Sequence, residues 1–142
     1  MRSSLVLLSA LLLAGCASAD LAADPAGVDG LDTLVGYLDA QGFTLEPDGL
    51  TTSTLPLTAA ATYRVTGLAR PTEIEAFEFE SEEAAREGLT QLRSEIRPRG
   101  HQEVYASGPL VVYARAQAYG RGLDWRLRRT LSAALGAPRG GA

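Results

Sequence analysis

Apolar and polar positions follow a helical period in three segments of the chain. From Leu31, apolar residues recur at i, i+3, i+4 and i+7, which predicts a helix over 29–41. Asp29 is the predicted N-cap of this helix, and Gly42 is predicted to end it in the left-handed conformation. The same spacing predicts a second helix that Ser81 caps and Pro98 ends, and a third helix over 123–135.

Segments rich in β-branched and aromatic residues lie between these helices and predict strands. The apolar run over 110–113 is continuous, as in a strand that is buried on both faces. Between residues 74 and 79 the alternation of apolar and polar residues slips by one position. This predicts either that both faces of the strand are covered or that a bulge shifts its pairing register. The predicted strands cover 43–46, 62–66, 72–80, 102–106 and 110–114.

The order of these elements predicts an α+β domain with one mainly antiparallel sheet packed with two to three helices. Within it, the strand–helix–hairpin–helix segment 72–135 predicts a split β-α-β element of the ferredoxin-like type. We expect one domain over 29–136, because 142 residues leave room for a single core. Residues 16–28 are expected to form a flexible tether, and residues 137–142 a disordered tail.

The first sixteen residues have the pattern of an export signal. Arg2 precedes an apolar run from Leu5 to Leu13, which as a helix is about 13 Å long and too short to cross a ~30 Å hydrocarbon layer. Small residues then lead directly to the only cysteine, in Leu13-Ala14-Gly15-Cys16. We interpret residues 1–15 as a cleaved signal peptide.

This segment resembles the lipobox of bacterial lipoproteins. The resemblance implies that Cys16 receives a diacylglycerol, that cleavage occurs just before it, and that its new amino terminus is acylated in many lineages. Ala17, in place of Asp, implies the periplasmic face of the outer membrane in a diderm host, and otherwise the outer face of the plasma membrane. The alternative is an ordinary secretory signal with a chance cysteine. Segments 74–89 and 110–115 also resemble small uncharacterised bacterial lipoproteins, which implies no activity.

Charge is distributed unevenly along the chain. All thirteen basic residues are Arg, and the net charge is −4. Residues 17–96 hold fifteen acidic residues and four Arg, whereas residues 97–142 hold eight Arg and two acidic residues. We interpret this as two halves that pack together, so that their opposite charges complement each other. The alternative is that the basic half contacts an anionic surface. The acidic total, without an aromatic–basic pattern, argues against a nucleic-acid partner.

The residue types of common catalytic and metal sites are scarce. The chain has one His, no Lys and no Gly-x-Ser-x-Gly, and no Gly-rich loop follows a predicted strand. We therefore expect no cofactor, no metal and no enzymatic activity, and a binding or accessory role on the envelope. The alternative is a small hydrolase or transferase that uses Glu78 or Glu80 with His101. A ligand-carrying domain or an inhibitor with an apolar cavity behind the sheet is a third possibility.

The last predicted helix carries a candidate docking patch. Trp125 lies nearly opposite the leucine stripe of this helix, beside Arg126, Arg128 and Arg129. An aromatic residue flanked by guanidinium groups is typical of interface hot spots and of headgroup anchors. The patch predicts an anionic partner, which is an envelope glycan, a phospholipid or an acidic protein. The alternative is that Trp125 packs beneath a neighbouring loop or strand.

Overall fold

The computed structural model describes residues 27–51, 53–96, 100–116 and 122–139. Three helices and five strands follow one another along these residues. Their bounds are α1 Leu31–Ala40, β1 Thr44–Pro47, β2 Leu57–Thr66, β3 Thr72–Phe79, α2 Glu82–Glu95, β4 Gln102–Ser107, β5 Leu110–Ala116 and α3 Trp125–Leu135.

The five strands form one antiparallel sheet in the order β1-β2-β3-β5-β4. Side chains of α1 and α3 share one apolar cluster with the sheet, and side chains of α2 share a second cluster with its other face. The predicted α+β class with one antiparallel sheet is therefore confirmed. The ferredoxin-like part of the prediction is not confirmed, because such a fold needs a second β-α-β unit and no strand follows α3 in the described residues.

Strand β3 is covered on both of its faces, which explains the slip in its alternation. Ile74 and Ala76 belong to the cluster of α1 and α3, whereas Phe77 and Phe79 belong to the cluster of α2. The bulge lies on the neighbouring strand, where the register of β2 shifts between Leu57 and Ala59. Of the two explanations for the slip, burial on both faces is the correct one.

The start of α1 is set by the sheet. Its N-cap is Gly30 and not Asp29, so the predicted cap was wrong. A carboxylate oxygen of Glu78, on β3, accepts the N–H of Leu31 at 2.7 Å. This long-range carboxylate satisfies a free donor that the glycine cap cannot, and locally the N–H of Gly30 donates to Oγ1 of Thr33 at 3.0 Å. At the other end of α1, Gly42 has a φ of 81°, as predicted.

The two ends of the sheet, along the direction of its strands, carry different elements. Glu78 pairs with Leu110 beside the β4–β5 turn, and we call this the hairpin end. Thr72 pairs with Ala116 at the opposite end, about 20 Å away along β3. Because Leu31 binds Glu78, the chain enters the described fold at the hairpin end.

Residues 137–139, which belong to the predicted tail, lie against the sheet. The N–H of Arg139 donates to the carbonyl of Val104 at 2.7 Å, and the guanidinium of Arg93 donates to the carbonyl of Arg139. Strand β4 is at the edge of the sheet, so this contact satisfies part of an otherwise open strand edge. Residues 140–142 lie outside the described residues.

A glycine is buried at the centre of α2. A β-carbon added at Gly88 would overlap the Cε1 and Cζ atoms of the buried Phe79 ring. We expect Gly88→Ala to lower the free energy of unfolding by about 1–3 kcal/mol through overpacking, despite the higher helix propensity of alanine. Urea unfolding measures the change.

The matched control lies in α1. Gly36 is exposed, and an added β-carbon would have no atom within 4 Å. Gly36→Ala should therefore stabilise the protein by up to about 1 kcal/mol. Equal stabilisation by both substitutions would contradict the described packing of α2 on Phe79.

Candidate functional site

A buried carboxylate joins β4 to α3. Glu103 is 4% exposed and lies on the face of β4 that α3 covers. The hydroxyl of Tyr105 donates to its Oε2 at 2.6 Å, and Nε of Arg128 donates to the same oxygen at 3.2 Å and lies 3.0 Å from Oε1. Nε2 of His101 lies 3.1 Å from Oε1. A strand, the turn before it and a helix are thus held together by one carboxylate.

The partners of Glu103 keep it ionised. Burial is the largest single influence and raises the pKa of Glu103, but the hydrogen bonds from Tyr105 and His101 and the charge of Arg128 together outweigh it. The pKa therefore lies below its usual value. A carboxyl group with a lowered pKa stabilises the fold above its unfolded pKa, and this contribution is lost as the pH falls through the folded pKa.

Helix α3 begins at the opposite end of the sheet with its first side chain in solvent. The carboxylate of Asp124 caps the helix by accepting the N–H of Arg126 at 2.9 Å. Before the cap, Nη1 of Arg70 donates to the carbonyl of Gly122 at 3.0 Å. Trp125 is 68% exposed, so it does not pack beneath a loop. The structure places the predicted aromatic residue on the surface.

The three arginines beside Trp125 are all exposed, but they have different contacts. Cζ of Arg126 lies 5.5 Å from the centroid of the Phe43 ring, which is a cation–π contact. Arg128 binds Glu103 while its side chain remains 57% exposed. The structure therefore brings the whole predicted patch, with Arg129, onto the start of α3, and two of its arginines also hold the helix in place.

The residues of the predicted hydrolase or transferase do not converge. Glu78 caps α1 at the hairpin end, and Glu80 is exposed just after β3. His101 lies at the opposite end, where its carbonyl accepts the N–H of Ala116 at 3.0 Å. About 20 Å of sheet separates the two ends. Within the described ranges, no group of three His, Cys, Asp or Glu side chains is placed to hold a metal ion.

Two carboxylates of β3 are paired with an arginine on the face that α2 shares. Nη1 of Arg115 donates to Glu73 at 2.9 Å, Nη2 donates to Glu75 at 2.6 Å, and Nε donates to Gln102 at 3.0 Å. The pKa of Glu75 is raised, because burial and the neighbouring charge of Glu73 together outweigh the charge and hydrogen bond of Arg115. The guanidinium, on β5, faces protein acceptors on two other strands, β3 and β4, so this cluster acts as a structural ion-pair network.

A shallow cavity lies between α2 and the β4–β5 hairpin. Its volume is about 20 Å³, and its lining includes Arg86, Leu89 and Arg139. This volume holds about one water molecule. The cavity is therefore too small for the bound organic molecule that a ligand-carrying domain needs.

In comparisons with known proteins, no family model, no curated protein and no solved structure matches the chain. Among the residues that the structure describes, no helix is long and apolar enough to cross a membrane. Cys16 and the rest of the predicted signal and lipobox lie outside the described residues. What the structure defines is a small α+β domain with an aromatic and basic surface at the start of α3.

Glu103 was missed as a site residue by the sequence analysis. A signal was present, because the continuous apolar run of β5 predicts that both faces of the sheet are covered there. A carboxylate two residues from Tyr105, on the same face of the neighbouring strand, then requires a partner. The identity of that partner, Arg128, depends on where α3 packs, and no local pattern specifies it.

Two buried tyrosines on adjacent strands give a matched test of the Glu103 network. Tyr105 is fully buried and donates to Glu103, whereas the buried hydroxyl of Tyr113 has no hydrogen-bond partner among the described residues. We expect Tyr105→Phe to cost about 1–3 kcal/mol, because it leaves a buried carboxylate under-satisfied. Tyr113→Phe should be neutral or stabilising. Equal losses in thermal unfolding at neutral pH would contradict the network.

The Arg115 network has a pH-dependent signature. Its side chain is only 16% exposed, so Arg115→Met should cost on the order of 2 kcal/mol at pH 7 by leaving two adjacent carboxylates without their cation. Loss of the cation raises the pKa of Glu75 further. A carboxyl group with a raised pKa destabilises the fold only where it is ionised, so the loss should shrink as the pH falls towards 4.

The control for this prediction is a solvent-exposed arginine on the same sheet. Arg64 binds Asp48 at 2.9 Å, and its side chain is 49% exposed. Arg64→Met should cost less than about 1 kcal/mol, because surface ion pairs are weak. Urea unfolding at several pH values measures both variants, and a loss for Arg115→Met that grows on acidification would overturn the assignment.

Proposed function

We propose that the chain is a lipid-anchored lipoprotein of the cell envelope that acts as a non-enzymatic binding or accessory module. Its docking patch consists of Trp125, Arg126, Arg128 and Arg129, and its partner is anionic. The observation that carries the proposal is the 68% exposure of Trp125 at the start of a helix that a buried carboxylate holds in place.

The anchor is supported by the sequence. Leu13-Ala14-Gly15-Cys16 follows a basic start and a short apolar run, in the order that a lipoprotein signal requires. Each buried CH₂ group contributes about 0.8 kcal/mol, so two acyl chains on Cys16 anchor stably where one is marginal. Ala17 favours the outer membrane if the host is diderm. Anchoring raises the local concentration of the domain near its partner.

Binding through the patch is supported by its composition and by its rigidity. Tryptophan and arginine are the side chains that most often dominate interface energies. Arg126 on Phe43 and Arg128 on Glu103 fix the helix from two sides, so little conformational entropy is lost when a partner docks. The side chains that a hydrolase or transferase would use serve other contacts: Glu78 caps α1, and His101 contacts Glu103.

The anchor is tested by Cys16→Ser. The serine oxygen cannot replace the sulfur in the thioether, so we expect the variant to lose the acyl mass and to keep its uncleaved leader. Any protein from which other proteases remove this leader should leave the membrane fraction. Intact-mass analysis and membrane fractionation of the native and variant proteins measure these changes.

Ser18→Ala is the matched control, because it changes a neighbouring small residue and keeps the thiol. This variant should be acylated and should remain with the membrane. A native protein whose Cys16 carries no lipid would contradict the proposed function.

A further inference from the structure

Charge on the described surface is divided along the axis of the sheet. At the opposite end, the first turns of α3 present Trp125, Arg126 and Arg129 to solvent. At the hairpin end, the exposed carboxylates in and beside the first turns of α1 and α2, among them Asp32 and Glu83, outnumber the exposed Arg86 and Arg139. A negatively charged surface therefore attracts the start of α3 and repels the hairpin end.

Tryptophan and arginine together suit the boundary between a bilayer and water. The indole has an apolar body and a polar N–H group, and it is enriched at the level of lipid headgroups. The planar guanidinium binds phosphate oxygens in a bidentate manner. A side chain that protrudes with 68% exposure does not enclose a small ligand, whereas it can enter a flat headgroup layer. The exposed carboxylate of Asp39, at the end of α1, lies at the same end of the sheet and opposes binding to an anionic surface. The arginines of α3 must therefore supply the attraction.

The chain between Cys16 and the described fold has the length that this contact requires. Eleven residues, 16–26, precede Gly27, the first described residue. A stretch of eleven residues can reach at most about 36–40 Å. The distance along the sheet from the hairpin end to the opposite end is about 20 Å, which is within that reach. An anchored domain can therefore turn its hairpin end away from the bilayer and place α3 on it.

We propose that the start of α3 rests on the anionic phospholipid headgroups of the membrane that anchors the chain. Trp125 lies in the interface, and Arg126 and Arg129 face the phosphates. This inference rests on the proposed function, because it needs the lipid on Cys16, and it makes phospholipid the partner of the docking patch. The acyl anchor and the patch are then two membrane signals, and the acidic hairpin end faces away from the bilayer.

Trp125 is the only tryptophan of the chain, so its fluorescence reports on this surface directly. The full-length acylated protein is incorporated into vesicles of phosphatidylcholine, with and without phosphatidylglycerol, in which all lipids carry brominated acyl chains. With phosphatidylglycerol we expect a blue shift and the loss of most of the emission to bromine quenching. Both effects should be absent in phosphatidylcholine alone and should be reversed by high salt, which screens exposed charges.

Two variants separate the patch from the anchor. Arg126→Gln combined with Arg129→Gln should abolish the shift, while the protein stays on the vesicles through its lipid. Trp125→Phe combined with Thr58→Trp moves the only indole to an exposed position at the hairpin end, where Thr58 donates to the carbonyl of Glu78. That indole should remain unquenched.

The outcomes distinguish the inference from the proposed function. Acylated, vesicle-bound protein whose Trp125 stays unquenched with phosphatidylglycerol overturns the inference and leaves the proposed function standing. A shift that isolated cell wall or an acidic protein produces, and vesicles do not, also overturns it. An intact mass without lipid on Cys16 overturns the proposed function and the inference together.

Discussion

Glu103 places a negative charge where α3 covers the sheet, and neighbouring groups must replace the hydration that this carboxylate loses on burial. Tyr105 and Arg128 donate to it, and His101 contacts it, so the charge is retained and not neutralised. Because Arg128 belongs to α3, the same contacts fix the helix on β4. Together with the buried leucines of α3 and the contact of Arg126 with Phe43, this carboxylate sets the position of the basic surface.

The local pattern of apolar and turn residues was sufficient to predict the helices and the β4–β5 hairpin, because both kinds of signal act within a few positions of the chain. It was insufficient for β2, which was predicted as 62–66 and extends over Leu57–Thr66. Its first half is rich in alanine, which has little intrinsic preference for strands, and it is extended because β3 pairs with it. The strand order likewise depends on contacts between residues that are distant in sequence.

The same division applies to the candidate site. A helical wheel places Trp125 opposite the leucine stripe, but it leaves open whether the indole packs beneath a neighbouring loop or strand. The Glu103 network and the Glu78 cap of α1 could not be predicted, because their partners lie 25 and 47 residues away in the chain. Such pairs depend on which helix covers which strand. A carboxylate in a sequence can therefore be a cap, an ion-pair partner or a solvated charge, and only packing decides among them.

The ionisation of Glu103 is the most direct test of this account. Carbon-detected NMR of the side-chain carboxyl groups, followed through a pH titration of the folded protein, measures its pKa. The account predicts that Glu103 titrates below the usual range for glutamate, because its hydrogen bonds and Arg128 outweigh burial. A Glu103 that titrates at or above that range would show that the charge is not held by these partners and would contradict the account.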